Sequence, residues 1–115
     1  VTMVYGGLVN KRIVAALQAK GINALGLTGA DGDCIRAKKR VNPTTDYGFV
    51  GDVERVGVER ILSLIQAGFF PILAPLTHDG EGSLLNTNAD TIASEVASSI
   101  ASHHITDYAV HLVYC

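Results

Sequence analysis

Val58-Glu59-Arg60-Ile61-Leu62-Ser63-Leu64-Ile65-Gln66-Ala67-Gly68-Phe69-Phe70-Pro71-Ile72-Leu73-Ala74 holds the key to the fold. Val58, Ile61, Leu62 and Ile65 recur at three- and four-residue steps, so they line one face of a helix. Gly68 supplies a left-handed stop, and the apolar run Phe69 to Ala74 reads as a buried strand. The same unit stands upstream. There Val9, Ile13, Ala16, Leu17 and Lys20 carry a helix, Gly21 ends it, and Ile22 to Thr28 follow as a short strand. Downstream, a helix from about Asn88 to Ser102 sets Ile92, Val96 and Ile100 beside Ala93, Ala97 and Ala101, small enough for close packing on a sheet. Asp107 to Cys115 closes the order as a strand. This alternation predicts an α/β fold with a mostly parallel sheet covered by helices.

Residues Cys34 to Arg40 and Gly48 to Val56 depart from the alternation. They read as two exposed strands joined by Val41-Asn42-Pro43-Thr44-Thr45-Asp46, a β-hairpin excursion. His78-Asp79-Gly80-Glu81-Gly82 is turn-rich, and Ser83 to Asn86 lead into the last helix.

With 115 residues the chain has room for one domain or part of one, and is small for a complete two-substrate enzyme. Hydrophobic residues at 48%, charged residues at 17% and a net charge of −2 describe a globular protein with no general attraction to a phosphate backbone. Nucleic acid is therefore excluded as an expected partner. Arg36, Lys38, Lys39 and Arg40 form the one basic cluster and read as a solvated strand, with a phosphate contact as the alternative. The apolar run Ile61 to Leu76 is broken by Gln66, Gly68, Pro71 and Pro75, so no membrane span is expected. Cys34 and Cys115 are too few and too far apart for a disulfide framework, which fits a reducing cytoplasm. Because the chain opens on Val1 and stops inside an apolar strand pattern, it is expected to be a fragment.

In an open parallel sheet, ligands gather beyond the carboxyl ends of the strands, where loops enter helix N-termini. Two loops qualify. Gly26-Leu27-Thr28-Gly29-Ala30-Asp31-Gly32 is glycine-rich but has neither the dinucleotide fingerprint nor P-loop spacing, so a plain turn competes with a phosphate contact. Asn86-Thr87-Asn88-Ala89-Asp90 brings two amides and a carboxylate to a helix start. Thr87 and Asp90 there have the spacing of a capping box, and physics alone favours capping. His78, His103, His104 and His111 lack metal-pair spacing and an evident carboxylate co-ligand, which makes them surface or packing residues.

Read in order, Gly7-Leu8-Val9-Asn10-Lys11, Gly26 to Gly32, Gly48-Phe49-Val50-Gly51-Asp52-Val53, Gly68-Phe69-Phe70-Pro71-Ile72 and Asn86 to Asp90 resemble the middle of the N-acetylglutamate kinases, in the amino-acid kinase family. The resemblance spans nearly the whole chain. It implies a three-layer αβα sandwich, incomplete here, that uses ATP and Mg2+ to phosphorylate the side-chain carboxylate of N-acetyl-L-glutamate, or a related N-acylglutamate, in arginine biosynthesis. By motif position Asn86 would hydrogen-bond the acylglutamate, and Asp90 would orient the catalytic lysines, with Asn88 and Ala89 as further substrate contacts. Thr87 stands where Ile or Val is common, and Ala30 where Lys is common. The lysines belong to a glycine-rich first strand and a later nucleotide-binding region, both expected outside residues 1–115. The isolated chain is therefore expected to be inactive.

Such chemistry suits a sparse site. A glutamate carboxylate is already ionised near neutral pH and needs no general base, so catalysis means alignment and charge neutralisation. Two other readings stay open: a relative acting on aspartate, uridylate or carbamate, and a non-catalytic effector-binding or assembly module. The family often self-associates, so a homodimer or higher homo-oligomer is an expected partner. The helical stretch Val1 to Lys20 with Gly6-Gly7 could serve that contact or packing within one chain.

Overall fold

The computed structural model describes residues 3–41, 48–102 and 110–113. A π-helical stretch, Met3–Val9, runs into helix α1 (Asn10–Ala19), and Gly21, at φ 81°, turns the chain toward strand β1 (Ala24–Leu27). A 3-10 turn, Asp31–Asp33, leads to β2 (Ile35–Lys39), followed by β3 (Gly51–Val56), α2 (Val58–Gln66), β4 (Phe70–Leu73), β5 (Leu76–His78), β6 (Leu84–Asn86) and α3 (Ala89–Ser102). Each helix–glycine–strand unit anticipated from apolar spacing is present. The final strand expected over Asp107 to Cys115 falls mostly outside the described residues, and residues 110–113 are not in a strand.

The strands form two sheets, one parallel and one mixed. β1 pairs with β4 in parallel, Gly26 opposite Ile72 and Leu27 opposite Leu73. The second sheet has the order β3-β2-β5-β6, with β2 parallel to β5 and both β2–β3 and β5–β6 antiparallel. The first antiparallel pair is the expected hairpin excursion. The second arises because β5 and β6 are joined by a short turn carrying Gly80 and Gly82 at positive φ, and a short connection can only return the chain antiparallel. That hairpin adds antiparallel pairing to the mostly parallel arrangement that alternation implied.

Helices cover the β1–β4 pair on both faces. Gly26 lies so close to α1 that an added Cβ would stand 2.0 Å from Asn10 Oδ1 and 2.9 Å from Val14 Cγ2. On the other face Leu73 packs against the core of Cys34, Ile35, Ile61 and Ile92, which Val53, Val56, Val96 and Ile100 complete. The α3 face expected from Ile92, Val96 and Ile100 is the face that packs. In β3 a bulge between the Arg36 and Ala37 pairings lets Val53 and Val56, three apart, both serve this core; unbroken alternation would have turned one outward. Burial of Ile35, Ile61 and Ile92 contributes on the order of 1.5–3 kcal/mol each.

Candidate functional site

The turn from β6 into α3 is held from several sides. The Asn86 amide donates to the Phe49 carbonyl at 2.6 Å, and Asn86 pairs with Leu76 across the β5–β6 hairpin. Its side-chain Oδ1 is buried with no hydrogen-bond partner among the described residues, a costly condition for an amide oxygen. Asn88 Oδ1 accepts from the amides of Asp90 (2.9 Å) and Thr91 (3.2 Å), so Asn88 is the cap of α3. Thr87, which spacing paired with Asp90 in a capping box, is not the cap. Its hydroxyl is buried and donates instead to the Gly51 carbonyl at 3.0 Å. Ala89 and Asp90 are exposed in the first turn of α3, where a carboxylate meets the positive end of the helix dipole. The four candidate residues thus form one surface turn, with Asn86 at its floor and Asp90 at its rim.

The glycine-rich loop is closed upon itself. Thr28 donates through its amide (2.7 Å) and hydroxyl (3.0 Å) to the Asp31 carboxylate, and the Ala30 amide donates to Thr28 Oγ1. The Gly29, Asp31 and Asp33 amides go to the carbonyls of Leu76, Thr28 and Ala30. With those donors engaged, the loop is a turn and does not fit a phosphate cradle. Gly29 is required there by contact, since a Cβ would stand 2.8 Å from the Leu76 carbonyl oxygen.

The basic strand is also engaged. Arg40 pairs with Asp52 at 2.6 Å, and Lys39 Nζ lies 5.1 Å from the Phe49 ring centroid. Register places Arg36 directly opposite Arg55, a repulsive pairing that Asp33 resolves. Its Oδ2 accepts from Arg36 at 3.0 Å and from Arg55 at 2.5 Å, while Oδ1 lies 2.6 Å from His78 Nε2. Burial pushes the Asp33 carboxyl up, but hydrogen bonds from His78 and Arg55 and the charges of Arg36 and Arg55 outweigh it and hold it at about 2. His78 therefore has a carboxylate partner that the sequence did not reveal, 45 positions away. Cys34 is buried and unbridged, and burial raises its thiol.

A cleft of about 630 Å³ opens between Asp31, Gly32 and Cys34 on one side and Glu59, Arg60 and Ser63 of α2 on the other. A smaller groove runs along Asp90, Thr91, Ser94 and Glu95. Volume favours the first, which borders Leu27, Asp31 and Gly32 of the glycine-rich loop but none of the residues Asn86 to Asp90, and the chemistry of the Asn86 turn decides for the second. No group of three or more His, Cys, Asp or Glu side chains among the described residues is placed to hold a metal ion. No helix among them is long and apolar enough to cross a membrane.

The family model for the amino acid kinase family matches residues 1–107. The chain is 63% identical over 115 residues to an acetylglutamate kinase of Phocaeicola vulgatus, covering 100% of this chain and 43% of the relative. An acetylglutamate kinase of Bacteroides thetaiotaomicron is 60% identical with the same coverage. The crystal structure of smu.665 from Streptococcus mutans UA159 superposes with a TM-score of 0.79 at 32% identity, over 88% of this chain and 40% of that one. The chain thus spans under half the length of the curated relatives it matches. On the family match, the identities and the shared architecture, the chain belongs to the amino acid kinase family.

Proposed function

We propose that these residues are the acylglutamate-binding part of a kinase that transfers a phosphoryl group from ATP to the side-chain carboxylate of N-acetyl-L-glutamate, giving N-acetylglutamyl 5-phosphate for arginine biosynthesis. The carrying observation is identity of 63% to an acetylglutamate kinase over the whole chain, with the turn Asn86 to Asp90 formed as one surface. Asn86 supports the reading chemically. An N-acylated glutamate carries one amide N–H, the donor that a buried amide oxygen without a partner lacks. Asp90, exposed at the rim, is a positioning residue for lysines contributed from outside residues 1–115.

ATP and Mg2+ are assigned to those other regions as well, a reading supported by the engaged amides of the glycine-rich loop. What these residues supply is orientation of the acceptor carboxylate, and alignment is a large share of phosphoryl-transfer catalysis. Self-association and a cytoplasmic location belong to the same reading.

The test is ATP-dependent phosphate transfer by the intact protein to N-acetylglutamate, N-succinylglutamate, aspartate, uridylate and carbamate. Turnover should be confined to an N-acylglutamate, and Asn86→Ala should raise its KM by about tenfold, the loss of one hydrogen bond to the substrate amide. Preference for aspartate, uridylate or carbamate would refute the proposal, as would an Asn86→Ala variant with the native KM.

A further inference from the structure

Thr77 and Thr87 form a buried polar pair with no part in the chemistry described so far. Thr77, in β5, is 0% exposed and Thr87, in the candidate turn, 7%. Their hydroxyl oxygens lie 3.0 Å apart, Thr87 Oγ1 is 3.0 Å from the Gly51 carbonyl, and Thr77 Oγ1 is 3.4 Å from that of Leu85.

Each hydroxyl has one proton, and this orders the pair. The Gly51 carbonyl can only accept, so the Thr87 proton goes to it. The short Thr77–Thr87 contact must then be donated by Thr77, whose contact to Leu85 is the longer of its two. The result is a directed relay, from Thr77 to Thr87 to the Gly51 carbonyl. It joins β5, the Asn86–Asn88 turn and β3 at one buried point, where the Thr87 amide also donates to the Pro75 carbonyl at 3.2 Å. One residue away, the Asn86 amide is tied to Phe49, just before β3. Valine, common at this position in the resembled kinases, would fill the same volume, yet here, beside the buried Thr77 hydroxyl, it would leave that hydroxyl and the Gly51 carbonyl to find other partners.

We propose that Thr87, oriented by Thr77, is a positioning residue that locks the backbone of the Asn86–Asn88 turn against β3 and thereby sets affinity for the acylglutamate. The inference rests on the kinase reading for its substrate and on the hydroxyl geometry for its mechanism. Polar groups paired away from water fix one arrangement more sharply than apolar contact of equal volume, since each alternative arrangement leaves a group unsatisfied.

Thr87→Val, Thr87→Ser and Thr77→Val are made in the intact protein. Each is measured by steady-state kinetics with N-acetyl-L-glutamate and ATP, and by hydrogen exchange with mass spectrometry over residues 84–92. Thr87→Val should raise the acylglutamate KM about tenfold and speed exchange across the turn, with the KM for ATP unchanged. Thr87→Ser, which keeps the hydroxyl, should restore both toward native values, and Thr77→Val should give a smaller change of the same sign. Native exchange in Thr87→Val would overturn the relay. Faster exchange with an unchanged acylglutamate KM, or equal damage to both KM values and kcat without rescue by serine, would overturn the positioning role. If Thr87→Val does not fold, Thr77→Val decides: native exchange and native KM there would refute the relay. Absence of turnover in the unmutated protein would remove the kinase reading, while exchange would still show whether Thr87 holds the turn.

Discussion

Asp33 occupies a left-handed conformation, φ 53°, that a short polar side chain tolerates better than most, and from it the carboxylate meets two arginines and a histidine. Its carboxyl is lowered from 3.8 to about 2, so the sign of its linkage to folding is set. A depressed acid contributes stability that is complete above its unfolded value and is lost as pH falls through its folded value. Asp33→Asn should therefore lower the unfolding midpoint at pH 6, where Arg36 and Arg55 are left facing each other, and the gap to the native chain should close between about pH 4 and pH 2. Parallel acid-unfolding curves for the two proteins would show that this carboxylate does not carry the linkage. Arg36 and His78 could be read from sequence only as a solvated strand residue and an unpaired histidine. Their common partner is brought to them by β2–β3 register and by β5, neither of which has a local signal.

Among the elements, α3 was the most legible, because a long periodic face with alanines between the larger residues has one packing solution. Its cap shows the limit of spacing rules. Thr87 and Asn88 are adjacent and both suited to capping, and which of them caps depends on which is buried under β3 and β5. Asn88→Ala should cost about 1 kcal/mol of stability through the lost cap, measured by thermal or urea unfolding. A neutral result would mean that the α3 amides find other partners. The β5–β6 hairpin was read only as a turn-rich stretch leading to a helix. Strands of three residues are too short for alternation to register, and Leu76 and Thr77 are both buried, so even their pattern does not alternate.

For the whole molecule, β1 and β4 form a pair flanked by helices, with Lys11 and Gln18 of α1 donating to the Gly26 and Ala24 carbonyls and Phe70 56% exposed. The chain covers 43% of the acetylglutamate kinases of Phocaeicola vulgatus and Bacteroides thetaiotaomicron, and the proposed function assigns the lysines, ATP and Mg2+ to the remainder. The 115 residues alone should accordingly show no ATP-dependent phosphorylation of N-acetylglutamate, and turnover at the rate of the intact protein would contradict that division of roles. Apolar periodicity and glycine stops by themselves determined the α/β class and the helix–strand units around Gly21 and Gly68, and strand propensity with a Pro- and Asn-bearing loop determined the hairpin excursion, because each follows from contacts a few residues apart. The Asp33 cluster, the spent amides of the glycine-rich loop, the choice of Asn88 as cap and the Thr77–Thr87 relay were decided only in three dimensions. A polar group's partner depends on which distant strand lies beside it, and hydrogen-bond geometry over 3 Å leaves no trace in residue spacing.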